Sequence, residues 1–232
     1  MAPGSIADRL QRVRERIAAA AARAGRDPGS ITLVGVSKTI PAERVAEVVE
    51  AGLGDLGENR VQEGRDKAPL LPQTVRWHLV GHLQANKANH AARLFQVVHS
   101  IDSVDILERL ERAAEREGRR IMAMVQVDLA GETTKFGARA EELHRILETA
   151  AGLESVEVCG LMILPPHDPD PGRSRPYFRR LRDLLVEAQG RHARLPLRHL
   201  SMGMTEDFEV AIEEGATMVR VGRALFGERR AA

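Results

Sequence analysis

Lysine is scarce in this chain: of 34 basic residues only four are lysines, Lys38, Lys67, Lys87 and Lys135. A codon preference for arginine accounts for the shortage. It also narrows any search for a reactive amine, because arginine forms no imine and its guanidinium stays protonated. Cysteine is scarcer still. Cys159 is single, which excludes an intrachain disulfide, and its place in the apolar run 158–164 reads as a small buried thiol rather than a reactive one. No apolar run approaches the roughly 18–20 residues that span a bilayer. An excess of either charge is also missing: 34 basic residues stand against 33 acidic ones, a net charge of +1. Such a balance offers no uniform field to nucleic acid or to an anionic membrane, and neither is expected as a partner.

What is present is a globular composition, 43% apolar and 29% charged, over 232 residues. That length suits a single domain spanning 1–232. The arginine-rich start resembles a transit peptide, but Ile6, Leu10, Val13 and Ile17 recur at helical spacing and Asp8 and Glu15 interrupt the positive face. The better reading is an amphipathic first helix on a cytoplasmic protein, taken to be a monomer.

From there strand-like runs alternate with helical patterns. Strands are expected at 31–37, near 55–58, and at 76–80, 95–99, 121–127, 156–164, 197–201 and 217–221. Pro41 suits a first helical position, Asp102 or Ser103 a cap, and Gly118 a helix end. Eight strands with seven intervening helical segments imply a parallel sheet. At this length that is an α/β fold, a single (β/α)8 TIM-type barrel with an extra N-terminal helix; an open doubly wound sheet is the alternative.

In such barrels the active face lies at the C-terminal ends of the strands, with phosphate often bound after strands seven and eight. There stand Ser201-Met202-Gly203-Met204-Thr205 and Arg220-Val221-Gly222-Arg223. Two glycines, a hydroxyl and helix starts near Thr205 and Arg223 read as a phosphate cradle, or as tight turns with a helix cap. Lys38 ends strand one and would share that pocket. An amine facing a phosphate site suits pyridoxal 5′-phosphate, an aldehyde with a phosphate arm. Arg220 could face the pyridine nitrogen, where a cation weakens the cofactor as an electron sink, or pair with Glu58. The G-x-G-x-x-G match at 52–57 follows a helix and leads into a strand, the wrong order for a dinucleotide site. His78 and His82 straddle a strand end, so no metal is expected. His167 and Asp168 are expected to face solvent.

The segments Val36-Ser37-Lys38, Gly57 to Glu63, Trp77 to Lys87, His99 to Ser103, Leu200 to Met204 and Val219 to Gly222 occur together in this order. With them the chain resembles the pyridoxal phosphate homeostasis proteins, a family related to the N-terminal barrel of alanine racemases. The resemblance covers about 5–227. It implies that Lys38 is the Schiff-base lysine, that Ser201, Gly222 and the backbone of Arg223 hold the phosphate, and that Asn59 and Arg220 line the ring. Arg60 departs from the pattern, where an aromatic residue is frequent. Lys87 and Lys135 are open as sites for a second molecule. The resemblance further implies a carrier in vitamin B6 and amino-acid homeostasis, passing cofactor to apo-enzymes, with no dedicated catalysis. The rivals are a weak amino-acid racemase, for which the single tyrosine, Tyr177, is poorly placed as a second proton donor, and a cofactor-free lysine aldolase.

Overall fold

A computed structural model describes residues 4–131 and 136–227. Ser5 opens the first helix, α1 (Ile6–Arg23). Its hydroxyl accepts from the Asp8 amide while the Asp8 carboxylate accepts from the Ser5 amide, which satisfies two of the N–H groups a helix start leaves bare. Ile6, Leu10, Val13 and Ile17 lie on one buried stripe, as their spacing predicts.

The chain then alternates through β1 (Thr32–Val36), α2 (Ala42–Glu50), β2 (Asp55–Glu58), α3 (Val61–Lys67), β3 (Arg76–Leu79) and α4 (Ala88–Leu94). It continues with β4 (Val97–Ile101), α5 (Val104–Arg116), β5 (Ile121–Gln126), α6 (Ala140–Ala150), β6 (Val156–Met162) and α7 (Arg175–Arg191). The last elements are β7 (His199–Ser201), α8 (Phe208–Glu213), β8 (Met218–Val221) and α9 (Arg223–Phe226). Every strand pairs in parallel with its sequence neighbours, and β8 returns to β1 through Thr32 opposite Met218 to Gly35 opposite Val221. The sheet is therefore a closed eight-stranded barrel, not an open one. α1 packs on α2, α8 and α9, across the seam where the barrel closes. There Arg16 pairs with Glu209 at 2.7 Å and lies 4.5 Å from the Phe208 ring centroid.

Two details differ from the sequence reading, and one settles an alternative it left open. β4 runs two residues later than expected, because Phe95, though fully buried, caps the end of α4. Ser103 rather than Asp102 caps α5, accepting from the Ile106 amide. The helix start read near Thr205 for the cradle lies at Phe208, where the pattern of a short helix around 208–213 puts it, after a turn in which Asp207 accepts from the Met204 amide at 2.7 Å.

Alternation along the strands separates two apolar regions. Leu33, Leu56, Leu79, Val98, Leu161, Leu200 and Val219 join the helices in the outer core. Val97, Met124, Cys159, Met162 and Met218 form a separate cluster on the inward faces. Burial pushes the Cys159 thiol up to about 12, so it stays a protonated packing group. Arg220 follows Met218 by two residues and shares its inward face.

Candidate functional site

A cavity of about 780 Å³ opens at the C-terminal mouth of the barrel. Its lining comes from the chain just past β1, β2, β3, β5, β6, β7 and β8, and includes Lys38, Asn59, His82, Thr205, Gly222 and Arg223, with Val36, Gln126 and Arg220 from β1, β5 and β8 themselves. Five of the residues expected to hold a cofactor (Lys38, Asn59, Arg220, Gly222 and Arg223) thus meet around one space.

Lys38 is held from both sides by α3. Ser37 donates its amide to the Gly57 carbonyl at 2.9 Å and its hydroxyl to Glu58 Oε1 at 2.6 Å. Lys67 Nζ donates to the Ser37 carbonyl and to the same Glu58 oxygen, each at 2.7 Å. One turn earlier on α3, Glu63 accepts the Thr39 amide at 2.7 Å. Thr39 has φ +64°, the left-handed region that costs a residue with a Cβ about 1–2 kcal/mol. The ties at Ser37 and Thr39 enforce that turn and so aim the intervening lysine. Glu58 is fully buried, and its Oε2 makes no hydrogen bond among the described residues. Burial pushes its carboxyl above the usual range, against the pull of Lys67 and Ser37. Asn59 approaches the next loop closely: a Cβ on Gly81 would fall 2.2 Å from the Asn59 carbonyl oxygen, so only glycine fits there.

Arg220 is buried beneath the cavity floor with only its edge at the cavity. Its guanidinium donates Nη1 to Ser201 Oγ and Nη2 to the Ile163 carbonyl, the latter at 2.8 Å. Glu58, the alternative partner, is engaged with Lys67 instead. Burial lowers Arg220 to about 10, which leaves it cationic at neutral pH. Ser201 Oγ lies 2.8 Å from His99 Nδ1, His99 Nε2 lies 2.9 Å from His78 Nδ1, and His78 Nε2 lies 2.8 Å from Asp55 Oδ1. Sequence reasoning treated His78 only as a rejected metal ligand and passed over Asp55 and His99 as site residues. It had no signal to find them, since β4 and β7 are not neighbours and the His99–Ser201 bond exists only because the barrel closes.

Burial pushes both imidazoles below their ordinary value, and for His99 the charges of His78 and Arg220 add to the effect. In the unfolded chain these histidines take up protons near pH 6.5, whereas in the fold they resist doing so. The stability they confer is therefore complete above pH 6.5 and is lost as pH falls toward their lowered folded values, at up to about 2.7 kcal/mol per pH unit for two protons. Glu58 acts in the opposite sense, nearer its ordinary value of 4.5. The urea midpoint of the ligand-free protein is expected to fall between pH 7.5 and 5.5; a flat midpoint would show that the imidazoles titrate normally.

Ser201 and Gly203, expected at the phosphate, do not line the cavity. Ser201 is fully buried under Arg220, and Gly203 is required by packing: it has φ +89°, and a Cβ there would fall 2.6 Å from that of Ala211. His167 and Asp168, expected to face solvent, do so at the rim of the cavity. His82 also lines it, stacked on Phe136 with centroids 3.7 Å apart and 3.1 Å from Asp102. Neither Lys87 nor Tyr177 lines the cavity, and Lys135 lies outside the described residues. Among the described residues no group of His, Cys, Asp and Glu could hold a metal, and no helix is long and apolar enough to cross a membrane.

Residues 9–230 match the family model described as alanine racemase, N-terminal domain. The pyridoxal phosphate homeostasis protein of Aquifex aeolicus is 43% identical over 224 residues, covering 96% of this chain and 98% of its own. The chain belongs to the pyridoxal phosphate homeostasis protein family. The Pseudomonas aeruginosa pyridoxal phosphate homeostasis protein is 41% identical, covering 97% of this chain and 96% of its own. PipY of Synechococcus elongatus, solved with PLP bound, superposes with a TM-score of 0.85 at 38% identity, covering 96% of this chain and 100% of its own. An alanine racemase of Clostridium difficile superposes at 0.69 with 16% identity over 57% of its chain, a likeness of fold alone. In this member of the pyridoxal phosphate homeostasis protein family, the cavity stands at the barrel mouth and the chain of buried polar groups runs beneath it.

Proposed function

We propose that this chain binds pyridoxal 5′-phosphate in the cavity as a Schiff base on Lys38, stores it, and yields it to amines or apo-enzymes rather than turning over a substrate of its own. The observation that carries the reading is the meeting of the Lys38 amine, the Arg220 guanidinium and the Gly222–Arg223 turn around one space of about 780 Å³. This donor set fits an aldehyde, a pyridine nitrogen and a phosphate respectively. The PLP-bound structure of PipY, at 38% identity, supports it. Bound there, the cofactor supplies an electrophilic aldehyde that exchanges between amines.

The chain's own residues favour holding over catalysis. Arg220 stays cationic and spends two donors on Ser201 and Ile163, so it presents a fixed positive charge that opposes protonation of a nearby ring nitrogen. Ser37, Glu58, Glu63 and Lys67 fix the backbone on either side of Lys38. Asn59 and the Gly222–Arg223 backbone are proposed to contact the ring and the phosphate, while Ser201 serves the site by holding Arg220 and Gly203 by seating α8. For the rival racemase reading, the single tyrosine is on α7 and away from the cavity.

The transfer step is tested by mixing the loaded protein with an apo-enzyme and a scavenger of free pyridoxal phosphate. Recovery of the recipient's activity is expected to outpace spontaneous release from the loaded protein. Recovery no faster than release would leave storage and remove delivery.

A further inference from the structure

The polar groups inside the barrel form one unbroken series, Arg220, Ser201, His99, His78 and Asp55, drawn from β8, β7, β4, β3 and β2. It begins at the cavity and ends at Asp55, at the opposite end of the strands, where Asp55 also borders a shallow groove and pairs with Arg76. All of its members but Asp55 are buried. A series like this has few allowed arrangements of hydrogens.

Donor and acceptor chemistry determines which one is present. A guanidinium has no acceptor, so Ser201 Oγ must accept from Arg220. At the other end Asp55 is an ionised carboxylate: burial works against it, but hydrogen bonds from His78 and Arg76 hold its carboxyl below the usual range. It must accept from His78 Nε2–H. A neutral His78 then has a bare Nδ1, which accepts from His99 Nε2–H. His99 in turn has a bare Nδ1, which accepts the single hydrogen of Ser201. Every bond thus points one way, from the cation to the carboxylate, with both imidazoles neutral. Protonating His78 would reverse this order. His99 would have to donate to Ser201, whose oxygen would then carry two donors while its own hydrogen lost its acceptor.

We propose that this one-directional relay is what positions Arg220 in the cavity, with His99 as a positioning residue and Asp55 as the anchor that sets the direction. The inference rests on the cofactor reading for the use made of Arg220, though not for the relay itself. The groups facing the two imidazoles are Asp55, Arg76 and His99 for His78, and His78, Ser201, Arg220 and His199 for His99.

Two measurements test it. In the ligand-free wild-type protein, nitrogen NMR of the imidazoles between pH 7.5 and 6 is expected to show His78 and His99 neutral and protonated on Nε2. An Nδ1–H tautomer or an imidazolium at either site would overturn the relay, whether or not the protein binds cofactor. The second measurement is pyridoxal phosphate binding by His99→Leu. Affinity is expected to fall about tenfold, the upper end of the scale for one hydrogen bond between neutral groups, with a shift in the absorbance maximum of the bound cofactor. His99→Leu combined with Arg220→Lys should weaken binding no further than Arg220→Lys alone. Lower thermal stability with unchanged affinity and spectrum would make His99 a packing residue only and overturn the positioning role. If His99→Leu does not fold, His99→Phe, which likewise offers Ser201 no acceptor and His78 no donor, carries the same comparison. A wild-type protein showing no cofactor spectrum would defeat the functional reading while leaving the imidazole measurement to decide the relay.

Discussion

Lys38→Ala is expected to lower the affinity for pyridoxal 5′-phosphate by roughly a hundredfold, equivalent to about 2.8 kcal/mol. The substitution removes the amine that anchors the aldehyde. Ser37 and Thr39 keep their backbone ties to Lys67 and Glu63, and Arg220 keeps its own partners on Ser201 and Ile163. What survives is a noncovalent pocket that still offers Asn59, Arg220 and the Gly222–Arg223 turn. Equilibrium dialysis of both proteins measures the difference directly. Equal affinities would mean that the lysine amine contributes nothing to holding the cofactor.

Lys67→Met is expected to be the most destabilising single change near the site, costing about 3–5 kcal/mol. Lys67 Nζ is the hydrogen-bond donor shared by the Ser37 carbonyl and the Glu58 carboxylate, and Glu58 is fully buried. Without it Glu58 keeps only the Ser37 hydroxyl and is left with an uncompensated charge in the barrel wall. The companion change tests the cause: Glu58→Leu together with Lys67→Met removes both charges and should recover much of the loss. Urea denaturation of the two variants and wild type distinguishes the cases. If the double variant is as unstable as Lys67→Met, the cost arises from lost packing of the lysine stem rather than from a stranded carboxylate.

Much of the barrel was legible because its signals are local. Pro41, Ser103 and Gly118 punctuate helices through chemistry that acts within one turn, and the β-branched runs at β1 and β8 reveal buried strands. The shift at β4 shows the limit. Phe95 and Val97 are both fully buried, and apolar burial alone does not separate the end of a helix from the start of a strand. α3 and α4, of seven residues each, are too short to declare themselves by periodicity.

The cavity residues at strand ends were readable for the same reason that the fold was: Lys38, Asn59 and Gly222 follow directly from where each strand stops. The interior was not. Ser201 was assigned to the phosphate because its position in sequence says that it ends β7, yet the side chain turns under Arg220, across from a histidine 102 residues earlier in the chain. Lys67 stood among four lysines with nothing to mark it as the one that ties down the segment around Lys38. Both assignments depend on the closed barrel, which places strands remote in sequence around a shared interior.

The measurement that tests the central claim most directly is the absorbance spectrum of the purified protein with pyridoxal phosphate, before and after borohydride, followed by peptide mapping. A band near the edge of the visible that disappears on reduction, with the stable adduct on the peptide carrying Lys38, is the predicted result. A reduced adduct on another lysine, or no band and no adduct, would contradict it.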